Sequence, residues 1–361
     1  MKVTLFNTAK KWGGGEKWHA EMGALLNENN VAITCFARKN SRLFQKLKTA
    51  GIECVPTRVG NLSFLNPFKL FQLYRLLKNV SPDILIMNLP SDLKTAGLAA
   101  RLAGIKHIIY RRGSAIPLRN SWTNRLIFKY IVTEMIVNSD ETLRTVRQNN
   151  PEIFPLEKIH LIYNGIDTEP YFSSSKAFHK STHEIVLGNL ARLSYQKGQF
   201  VLIDLAERLR EDGYKFKILI GGIGELEQEL KTLVQKKKLD DQVQFMGFVE
   251  NPYDFLNQID IFVFPSIWEG FGYSIVEAKL AKKPVVAFQV SSNPEVIQND
   301  IDGFLVPLNN LDAFYEATKR LMDAPGLIEK MGKSGHQDVL NRFTQTKAVG
   351  HLISFLRTLP A

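Results

Sequence analysis

Residues 265–278 carry the residue types best suited to hold an anion or a hydroxyl-rich ligand. They follow a short apolar run and lead into a helical pattern, which predicts a turn between a strand and a helix. Gly270 and Gly272 would leave backbone N–H groups unhindered, and a helix that begins near Ser274 would direct its partial positive charge into the same space. This turn is therefore the first candidate binding site.

Two carboxylates, Glu269 and Glu277, flank this turn. In one continuous helix their side chains would lie roughly 80° apart, so a joint role requires Glu269 to lie in the loop, as the glycines favour. Glu277 also has a structural interpretation, because Ser274-x-x-Glu277 is a capping-box pattern in which the glutamate accepts from the amide of the cap residue. For Glu269 the alternative is a solvated loop carboxylate.

A second group of candidate ligands lies in residues 188–198, after another apolar run. Arg192 and Lys197 belong to the loop that follows this predicted strand, at the carboxyl edge of its sheet. There the two cations could neutralise the charge of a diphosphate. The alternative is that both are ordinary solvated loop residues, and the local pattern leaves that interpretation open.

Two further glycine-rich turns follow predicted strands. Trp12-Gly13-Gly14-Gly15 would let the backbone approach a phosphate, but Trp18 stands where a G-x-G-x-x-G dinucleotide fingerprint needs its third glycine. A nicotinamide-dependent oxidoreductase is therefore disfavoured. Gly221-Gly222-Ile223-Gly224 precedes acidic residues that would repel a pyrophosphate, so it is interpreted as a tight strand-to-helix connection.

Metal binding is not predicted. Asp300-x-Asp302 and His179-x-x-x-His183 have spacings that metal ligands can have, but the first pair precedes Gly303 in a turn and the second lies in a linker. The motifs of common hydrolases, zinc proteases and P-loop proteins do not occur, so those classes have no support.

The elements that must position these candidates form two similar series. Short apolar runs alternate with amphipathic stretches over residues 2–163, and the alternation restarts near residue 184, after a serine-rich linker. This alternation is typical of βαβ units in parallel sheets. We predict an α/β fold with two Rossmann-like, doubly wound domains that face an interdomain cleft. Their bounds are residues 1–165 and 166–340, and a C-terminal helix in residues 341–361 packs back on the first domain.

Length and composition agree with this organisation. The chain has 361 residues, of which 45% are hydrophobic and 23% charged, which is the balance of a globular protein. No uncharged apolar run is long enough to span a membrane, and the first residues lack the apolar core of a signal peptide. We expect a cytoplasmic protein, which could bind peripherally to the inner face of the membrane.

Positive charge is concentrated in the first half. Residues 1–165 contain 24 Lys and Arg against 11 Asp and Glu, a net charge of +13, whereas residues 166–361 contain 22 against 25, a net charge of −3. This asymmetry favours an anionic partner such as a lipid surface, a phosphorylated glycan or a nucleic acid, with a solvated basic face as the alternative. Residues 64–78 and 111–129 mix aromatic and basic side chains as membrane-surface segments do. Ordinary amphipathic core helices would show a similar pattern in both segments, and the aromatics of the first segment fit a helix packed on the sheet.

Together, these residues and several others resemble the GT-B retaining glycosyltransferases of family 4. The second half carries the family's motifs in order: Tyr163-Asn164-Gly165-Ile166-Asp167, Ala191-Arg192-Leu193 with Lys197-Gly198, Gly222-Ile223-Gly224, Gly247-Phe248-Val249, Glu269-Gly270-Phe271-Gly272 with Glu277-Ala278, and Pro284-Val285-Val286-Ala287. The first half contributes the glycine-rich loop, Ser81-Pro82-Asp83-Ile84 and Val137-Asn138-Ser139. No single motif is decisive, but the set is specific.

The resemblance implies a hexosyl- or related glycosyltransferase with the GT-B fold, in which an acceptor domain precedes a nucleotide-sugar domain. Such an enzyme transfers a sugar from a nucleotide-diphosphate donor with retention of the anomeric configuration, and it needs neither a metal nor a cofactor. A UDP-sugar is favoured over a GDP-sugar. We expect a glycan or lipid-linked acceptor of the lipopolysaccharide or other cell-surface polysaccharide type, a nearby anionic membrane surface, and no nucleic acid.

The resemblance also assigns roles position by position. Arg192 and Lys197 would neutralise the donor diphosphate, and Glu277 would accept both ribose hydroxyls. Glu269 would hold the donor sugar, and Glu269, Arg192 and Lys197 form the predicted catalytic group. The remaining donor contacts would come from Gly14, Gly15, Phe248, Val249, Gly270, Phe271, Gly272, Ser274 and Ile275.

The chain departs from the family pattern at two places. Many relatives carry histidine and glycine after the fourth strand of the first domain, where this chain has Arg112-Gly113. Arg112 and its neighbour Arg111 are therefore candidates for contacting the acceptor. Ser291-Ser292 stands where relatives often have a glycine pair, so the donor sugar cannot be inferred from the resemblance. An alternative function is a non-catalytic GT-B protein whose basic half binds anionic membrane or nucleic acid.

Overall fold

The structure is a computed structural model that describes residues 1–172 and 184–360. The chain divides into two compact units, Met1–Asn164 with Ala348–Ala361 (unit 1) and Gly165–Lys347 (unit 2). The second division lies after Lys347 rather than after residue 340, because residues 341 and 342 complete a helix of unit 2. The serine-rich run 173–176 and the pair His179 and His183 lie outside the described residues.

Unit 1 alternates strands and helices along the chain. Its strands are β1 (Lys2–Asn7), β2 (Ala32–Ala37), β3 (Glu53–Pro56), β4 (Ile84–Met87), β5 (His107–Arg112), β6 (Glu134–Val137) and β7 (Ile159–Leu161). Its helices are α1 (Gly14–Glu28), α2 (Arg42–Thr49), α3 (Pro67–Val80), α4 (Pro90–Asp92), α5 (Leu98–Leu102), α6 (Trp122–Tyr130) and α7 (Asp140–Arg147), with a π-helical turn, Leu93–Gly97, between α4 and α5. The strands form one parallel sheet in the order β3-β2-β1-β4-β5-β6-β7.

Unit 2 repeats the alternation. Its strands are β8 (Ile185–Leu190), β9 (Phe216–Gly221), β10 (Val243–Gly247), β11 (Ile261–Phe264), β12 (Val285–Phe288) and β13 (Gly303–Val306), which form a parallel sheet in the order β10-β9-β8-β11-β12-β13. Its helices are α8 (Glu169–Phe172), α9 (Phe200–Glu211), α10 (Glu227–Lys236), α11 (Pro252–Leu256), α12 (Tyr273–Leu280), α13 (Asn293–Val296), α14 (Leu311–Met322) and α15 (Pro325–Arg342). The last helix, α16 (Gln345–Thr358), starts in unit 2 and lies mostly in unit 1.

Helices cover both faces of the unit 1 sheet. Neighbouring residues of a strand point to opposite faces, so Leu85 packs in a buried cluster with α3, α5 and α6, whereas Ile86 packs in a second cluster with α1, α2 and α16. All four residues of β4 are at most 2% exposed, as expected for a central parallel strand. The C-terminal helix therefore packs on the first sheet.

Helix α3 differs from one of the sequence-based interpretations. Leu73 and Leu77 are its buried residues, whereas Phe68 and Phe71 are exposed. The expectation that the aromatics of residues 64–78 pack on the sheet is wrong for these two, because α3 presents its leucines to the core instead.

The strand orders create a switch point in each sheet, between β1 and β4 in unit 1 and between β8 and β11 in unit 2. Connections leave in opposite directions from the two strands at such a point, which opens a crevice at their carboxyl ends. The prediction of two Rossmann-like, doubly wound domains is confirmed. None of the described helices combines the length and apolar character that crossing a bilayer requires.

Candidate functional site

The carboxyl ends of β8 and β11 bring the two predicted anion-binding loops of unit 2 together. Lys197 Nζ forms an ion pair with Glu269 Oε1, and the same oxygen accepts a hydrogen bond of 2.6 Å from Ser266 Oγ. The side chains of Lys197 and Glu269 are only 17% and 9% exposed. Glu269 is therefore a buried, partnered loop carboxylate, and the alternative of a solvated one does not describe it.

Main-chain contacts lock these two loops to each other. Ile267 N donates to Gln196 O at 2.8 Å, and Gln196 Nε2 donates to Trp268 O at 2.9 Å. Gly198 has φ +65°, and a Cβ there would overlap the carbonyl oxygen of Pro265. Only glycine suits that position, so the glycine next to Lys197 helps to place the lysine beside Glu269.

The Gly222-Ile223-Gly224 turn supports the loop that carries Arg192. A Cβ on Gly222 or Gly224 would overlap the carbonyl oxygen of Ala191 or Leu193, respectively. Leu193 N also donates to Ile223 O at 3.1 Å. The turn is a close-packed connection, and it shapes the backbone on both sides of Arg192.

Arg192 is the exposed cation of this edge. Gln199 Nε2 donates to its carbonyl oxygen at 3.0 Å, which holds the main chain. Among the described residues, none forms a hydrogen bond or an ion pair with its guanidinium. The guanidinium is therefore available to an anionic ligand.

Helix α12 begins where the glycine turn ends. Its N-cap is Gly272, with φ +82°, and no side chain caps the helix. Ser274 is the second helical residue, so the capping-box interpretation of Ser274 and Glu277 is wrong: a capping box needs the serine at the N-cap. Ile275 N bonds to Gly272 O at 3.0 Å, and the amino end of the helix dipole lies at this turn.

Glu277 lies one turn into α12 and is 9% exposed. Its charge acts on Tyr171 of α8. Burial raises the pKa of the Tyr171 phenol most, and the negative charge of Glu277 raises it further. The ring of Tyr171 meets Tyr253 edge to face, with centroids 5.0 Å apart. Nothing in the spacing of the sequence had marked either tyrosine, since each is an isolated aromatic residue in a different helix.

The other predicted donor residues of unit 2 divide into anchors and exposed groups. Phe271 is buried and packs edge to face on Tyr273 and Phe343, so its side chain anchors the turn that contains Gly270 and Gly272. At the end of β10, Val249 lies against Gly221, whereas Phe248 is 52% exposed.

The serine pair that replaces glycines has a structural role. Ser292 is buried, and its hydroxyl donates to the carbonyl oxygen of Glu269 at 3.4 Å. Ser291 takes a left-handed φ of +46°, a conformation that glycine adopts more easily. The departure therefore adds a hydrogen bond to the loop that holds Glu269.

In unit 1, the glycine-rich loop follows β1, and Gly14 and Gly15 are the first residues of α1. A Cβ on Gly15 would overlap the side chain of Asn88, which follows β4. The sequence did not single out the acids behind this loop. These acids are Glu16 and Asp92, and Glu16 accepts a hydrogen bond from Asn7 Nδ2 at 3.1 Å.

Asp92 is completely buried at the carboxyl edge of the unit 1 sheet. It accepts hydrogen bonds from Thr8 N at 2.8 Å and from Thr8 Oγ1 at 2.6 Å. Burial nevertheless raises the pKa of Asp92 to about 7. Asp92 thus ties the start of the glycine-rich loop to the helix after β4.

The two predicted acceptor residues are buried in unit 1. Arg111 is 2% exposed, donates to Asn164 Oδ1 at 2.8 Å and stacks its guanidinium over Trp18 at 4.4 Å. Arg112 donates from Nη2 to the carbonyl oxygen of Ile116, while its Nε has no hydrogen-bond partner among the described residues. The Arg111 side chain is thus part of the packed interior of unit 1. A contact of Arg111 or Arg112 with the acceptor stays a prediction.

The acidic pair considered for a metal has other partners. Asp300 pairs with Arg320 at 3.2 Å, and Asp302 pairs with the buried Lys279 at 2.8 Å. Within residues 1–172 and 184–360, no three His, Cys, Asp or Glu side chains group as a metal site would require.

Comparison with known sequences gives matches to both units. The family model described as "Glycosyltransferase Family 4" matches residues 12–170, and the one described as "Glycosyl transferases group 1" matches residues 172–338. The UDP-Gal:alpha-D-GlcNAc-diphosphoundecaprenol alpha-1,3-galactosyltransferase of Escherichia coli is 27% identical over 316 residues, which are 82% of this chain and 80% of that protein.

A second relative matches over a longer part of the chain. It is the N-acetylgalactosamine-N,N'-diacetylbacillosaminyl-diphospho-undecaprenol 4-alpha-N-acetylgalactosaminyltransferase of Campylobacter jejuni. It is 26% identical over 339 residues, which are 90% of each protein.

Among solved structures, Anabaena HepE in complex with UDP-glucose superimposes with a TM-score of 0.86 over 99% of this chain and 100% of that chain, at 20% identity. The lipopolysaccharide outer core galactosyltransferase WaaB superimposes with a TM-score of 0.78 over 99% of this chain and 100% of that chain, at 18% identity. These superpositions show that the fold of both units is shared.

Proposed function

The chain belongs to the GT-B glycosyltransferases of family 4, and we propose that it moves a sugar from a UDP-sugar to a glycan or lipid-linked acceptor, with retention of the anomeric configuration and without a metal ion. The single observation that carries the proposal is the group at the carboxyl ends of β8 and β11. This edge carries an exposed arginine, a lysine paired with a buried glutamate and the amino end of a helix.

This group suits the charge that the reaction develops. As the bond between sugar and diphosphate breaks, negative charge grows on the leaving phosphate oxygens, so donors fixed in advance around those oxygens lower the barrier. Arg192, Lys197 and the amino end of α12 supply such donors. We propose that they take the role that a divalent cation has in other transferases.

The ion pair between Lys197 and Glu269 indicates how the site receives its donor. Among the described residues, both partners of the Glu269 carboxylate use Oε1. Its Oε2 can then accept a hydrogen bond from a sugar hydroxyl while Ser266 keeps the carboxylate in place. A diphosphate offers Lys197 a more highly charged partner, and we propose that the ammonium shifts from Glu269 toward it when the donor binds.

The relatives support the class of donor and acceptor. The E. coli relative is named for UDP-galactose and for an acceptor on diphosphoundecaprenol, and the C. jejuni relative also for an acceptor on diphospho-undecaprenol. The Anabaena structure contains UDP-glucose. We propose the same classes for this chain, in the assembly of lipopolysaccharide or another cell-surface polysaccharide.

Thermal unfolding with UDP, GDP, ADP and their sugar conjugates tests the proposal. A ligand present at about 100 times its dissociation constant stabilises the folded state by about 2.7 kcal/mol, and we expect the largest shift with UDP and its conjugates. Equal failure of all the nucleotides to shift the transition would contradict the proposed donor site.

The variant Glu277→Gln tests the ribose contact in the same assay, with Glu211→Gln at the exposed end of α9 as its matched control. We expect Glu277→Gln to lose most of the UDP shift and Glu211→Gln to keep it. A lower melting temperature with an unchanged UDP shift would instead assign Glu277 a purely structural role.

A further inference from the structure

One side of unit 1 exposes large apolar residues that its core does not use. On α3, Phe68 is 85% exposed and Phe71 60% exposed, and Leu62 and Leu65, in the segment just before the helix, are exposed to a similar degree. Single exposed apolar residues are common on protein surfaces, but a contiguous group marks a binding surface. These four lie within ten consecutive residues.

Helix α6 also has apolar residues on both its buried side and its exposed side. Ile127 and Phe128 face the core, whereas Trp122 is 73% exposed and Leu126 is 46% exposed. Trp122 and Leu126 are four residues apart and therefore lie on one side of the helix. The helix thus has an apolar outer side in addition to its buried one.

The topology places both groups at one edge of one face. The buried residues of α3 and α6 belong to the same cluster, so the two helices cover the same face of the sheet. A helix that connects parallel strands starts at the carboxyl edge, and Phe68 and Trp122 are within the first two residues of their helices. The exposed residues of this edge, here called the apolar rim, are Leu62, Leu65, Phe68, Phe71, Trp122 and Leu126.

The charge around the apolar rim has one sign. Residues 58–129 contain twelve Lys and Arg but only two acids, Asp83 and Asp92. Asp92 is buried, and Asp83 binds the amino end of β1 on the opposite edge of the sheet. The exposed cations Arg119 and Arg125 form no ion pair with any described residue. Aromatic and aliphatic side chains suit the apolar acyl region of a membrane, and cations without a counter-ion suit its anionic headgroups.

We propose that the apolar rim and the cations beside it dock unit 1 on an anionic phospholipid bilayer. The rim lies at the carboxyl edge of the sheet, the edge to which the glycine-rich loop also belongs. A docked rim therefore brings that edge to the headgroup layer, where a lipid-linked acceptor presents its sugar. The proposal rests on the proposed function for the identity of the acceptor, but the docking itself needs no substrate.

Vesicle flotation of the full chain tests the docking. Wild-type protein is mixed with vesicles of phosphatidylcholine alone, or with about 30% phosphatidylglycerol, at low and high salt. We expect binding to the anionic vesicles that weakens as salt rises. The double variant Phe68→Ser with Trp122→Ser should weaken it about 10- to 100-fold, and Arg119→Gln with Arg125→Gln about tenfold.

Matched controls come from unit 2. Ile301→Ser removes an apolar residue that is 53% exposed, and Lys236→Gln with Lys238→Gln removes two exposed cations. Both should bind vesicles like the wild type. The docking is overturned if wild-type protein shows no preference for anionic vesicles, if rim and control variants bind equally, or if the rim instead binds double-stranded DNA without binding vesicles.

The UDP thermal shift, measured on the same samples, separates the two proposals. A normal UDP shift without vesicle binding contradicts the docking alone. Vesicle binding that the rim variants abolish, without any nucleotide shift, contradicts the proposed function and leaves the docking supported.

Discussion

The two units differ in the partners that they give to buried titratable side chains. In unit 1, His19 and Asp92 are completely buried near the glycine-rich loop, and burial lowers the pKa of His19 to about 3 and raises the pKa of Asp92 to about 7. In unit 2, two lysines with little exposure have counter-ions. Lys197 contacts Glu269, and Lys279 lies 2.8 Å from Asp302 and 2.7 Å from Asp338.

The difference follows from the partners that each fold supplies. Among the described residues, Asp92 has only the amide and hydroxyl of Thr8 as hydrogen-bond donors. These compensate poorly for lost hydration, so its charged form is disfavoured. Lys197 has a carboxylate beside it, and in the proposed donor complex a diphosphate takes the place of that carboxylate. A charge held by an exchangeable partner suits a site for an anionic ligand, whereas groups whose charged form is disfavoured by burial suit a scaffold.

Removing the buried lysine of unit 2 should have the largest effect on stability. Lys279→Met leaves Asp302 and Asp338 without their central cation, and breaking a buried ion pair in this way costs about 3–5 kcal/mol. Denaturant unfolding of the full chain measures this cost. The matched control is Lys333→Met, which breaks an exposed pair with Glu329 and should change stability little. Equal effects of the two variants would show that burial does not set the cost.

The raised pKa of Asp92 in unit 1 predicts that the stability of the protein depends on pH. Between pH of about 4 and 7, the folded protein keeps on Asp92 a proton that the unfolded chain releases. The unfolding free energy therefore falls as pH rises through this window, at up to about 1.4 kcal/mol per pH unit, and this contribution is constant above it. Asp92→Asn removes the contribution, so the stability difference between wild type and variant should fall over the same window.

Unfolding measured at several pH values checks this expectation. The control is Asp83→Asn, at the opposite end of β4, where the side chain is exposed. Its stability difference from the wild type should show no comparable fall between pH 4 and 7. Parallel pH profiles for wild type and Asp92→Asn would mean that Asp92 is ionised in the folded protein.

Removing the ammonium group of Lys197 in unit 2 should mainly slow turnover. A charge-assisted hydrogen bond to the leaving diphosphate contributes ~1.5–3 kcal/mol, so Lys197→Ala should slow turnover about 10- to 100-fold. Lys236→Ala, on the exposed end of α10, is the control, and Lys197→Arg should recover part of the rate. A Lys197→Ala enzyme as fast as the wild type would refute the phosphate contact.

Much of the architecture could be predicted from the residues alone. Apolar periodicity indicated two βαβ series, and the glycines around Glu269 predicted a loop before α12, which begins at Tyr273. These signals are local, because strand, helix and turn preferences depend on neighbours in the chain. The family resemblance rested on the same local motifs and is confirmed by the matches to both units.

Other features depended on distant contacts. The capping-box pattern at Ser274 is an ordinary local signal, yet the N-cap of α12 is Gly272. The residue before it, Phe271, packs on Phe343, more than seventy positions away. Arg111 is a candidate acceptor contact from its residue type and position, but only the structure shows that its guanidinium stacks over Trp18. Phe68 looked like a core aromatic, but it is exposed. A side chain's type does not reveal which face of its helix the core uses.

By itself, the sequence determined the alternation of strands and helices, the two-domain pattern and the residue types in the loop around Glu269. Only the tertiary structure decided that Lys197 contacts Glu269, that Ser266 holds the same carboxylate and that burial raises the pKa of Asp92. The physical reason is that charge and hydrogen-bond energies depend on distance and on access to water. Both are set when strands far apart in the chain become neighbours in a sheet.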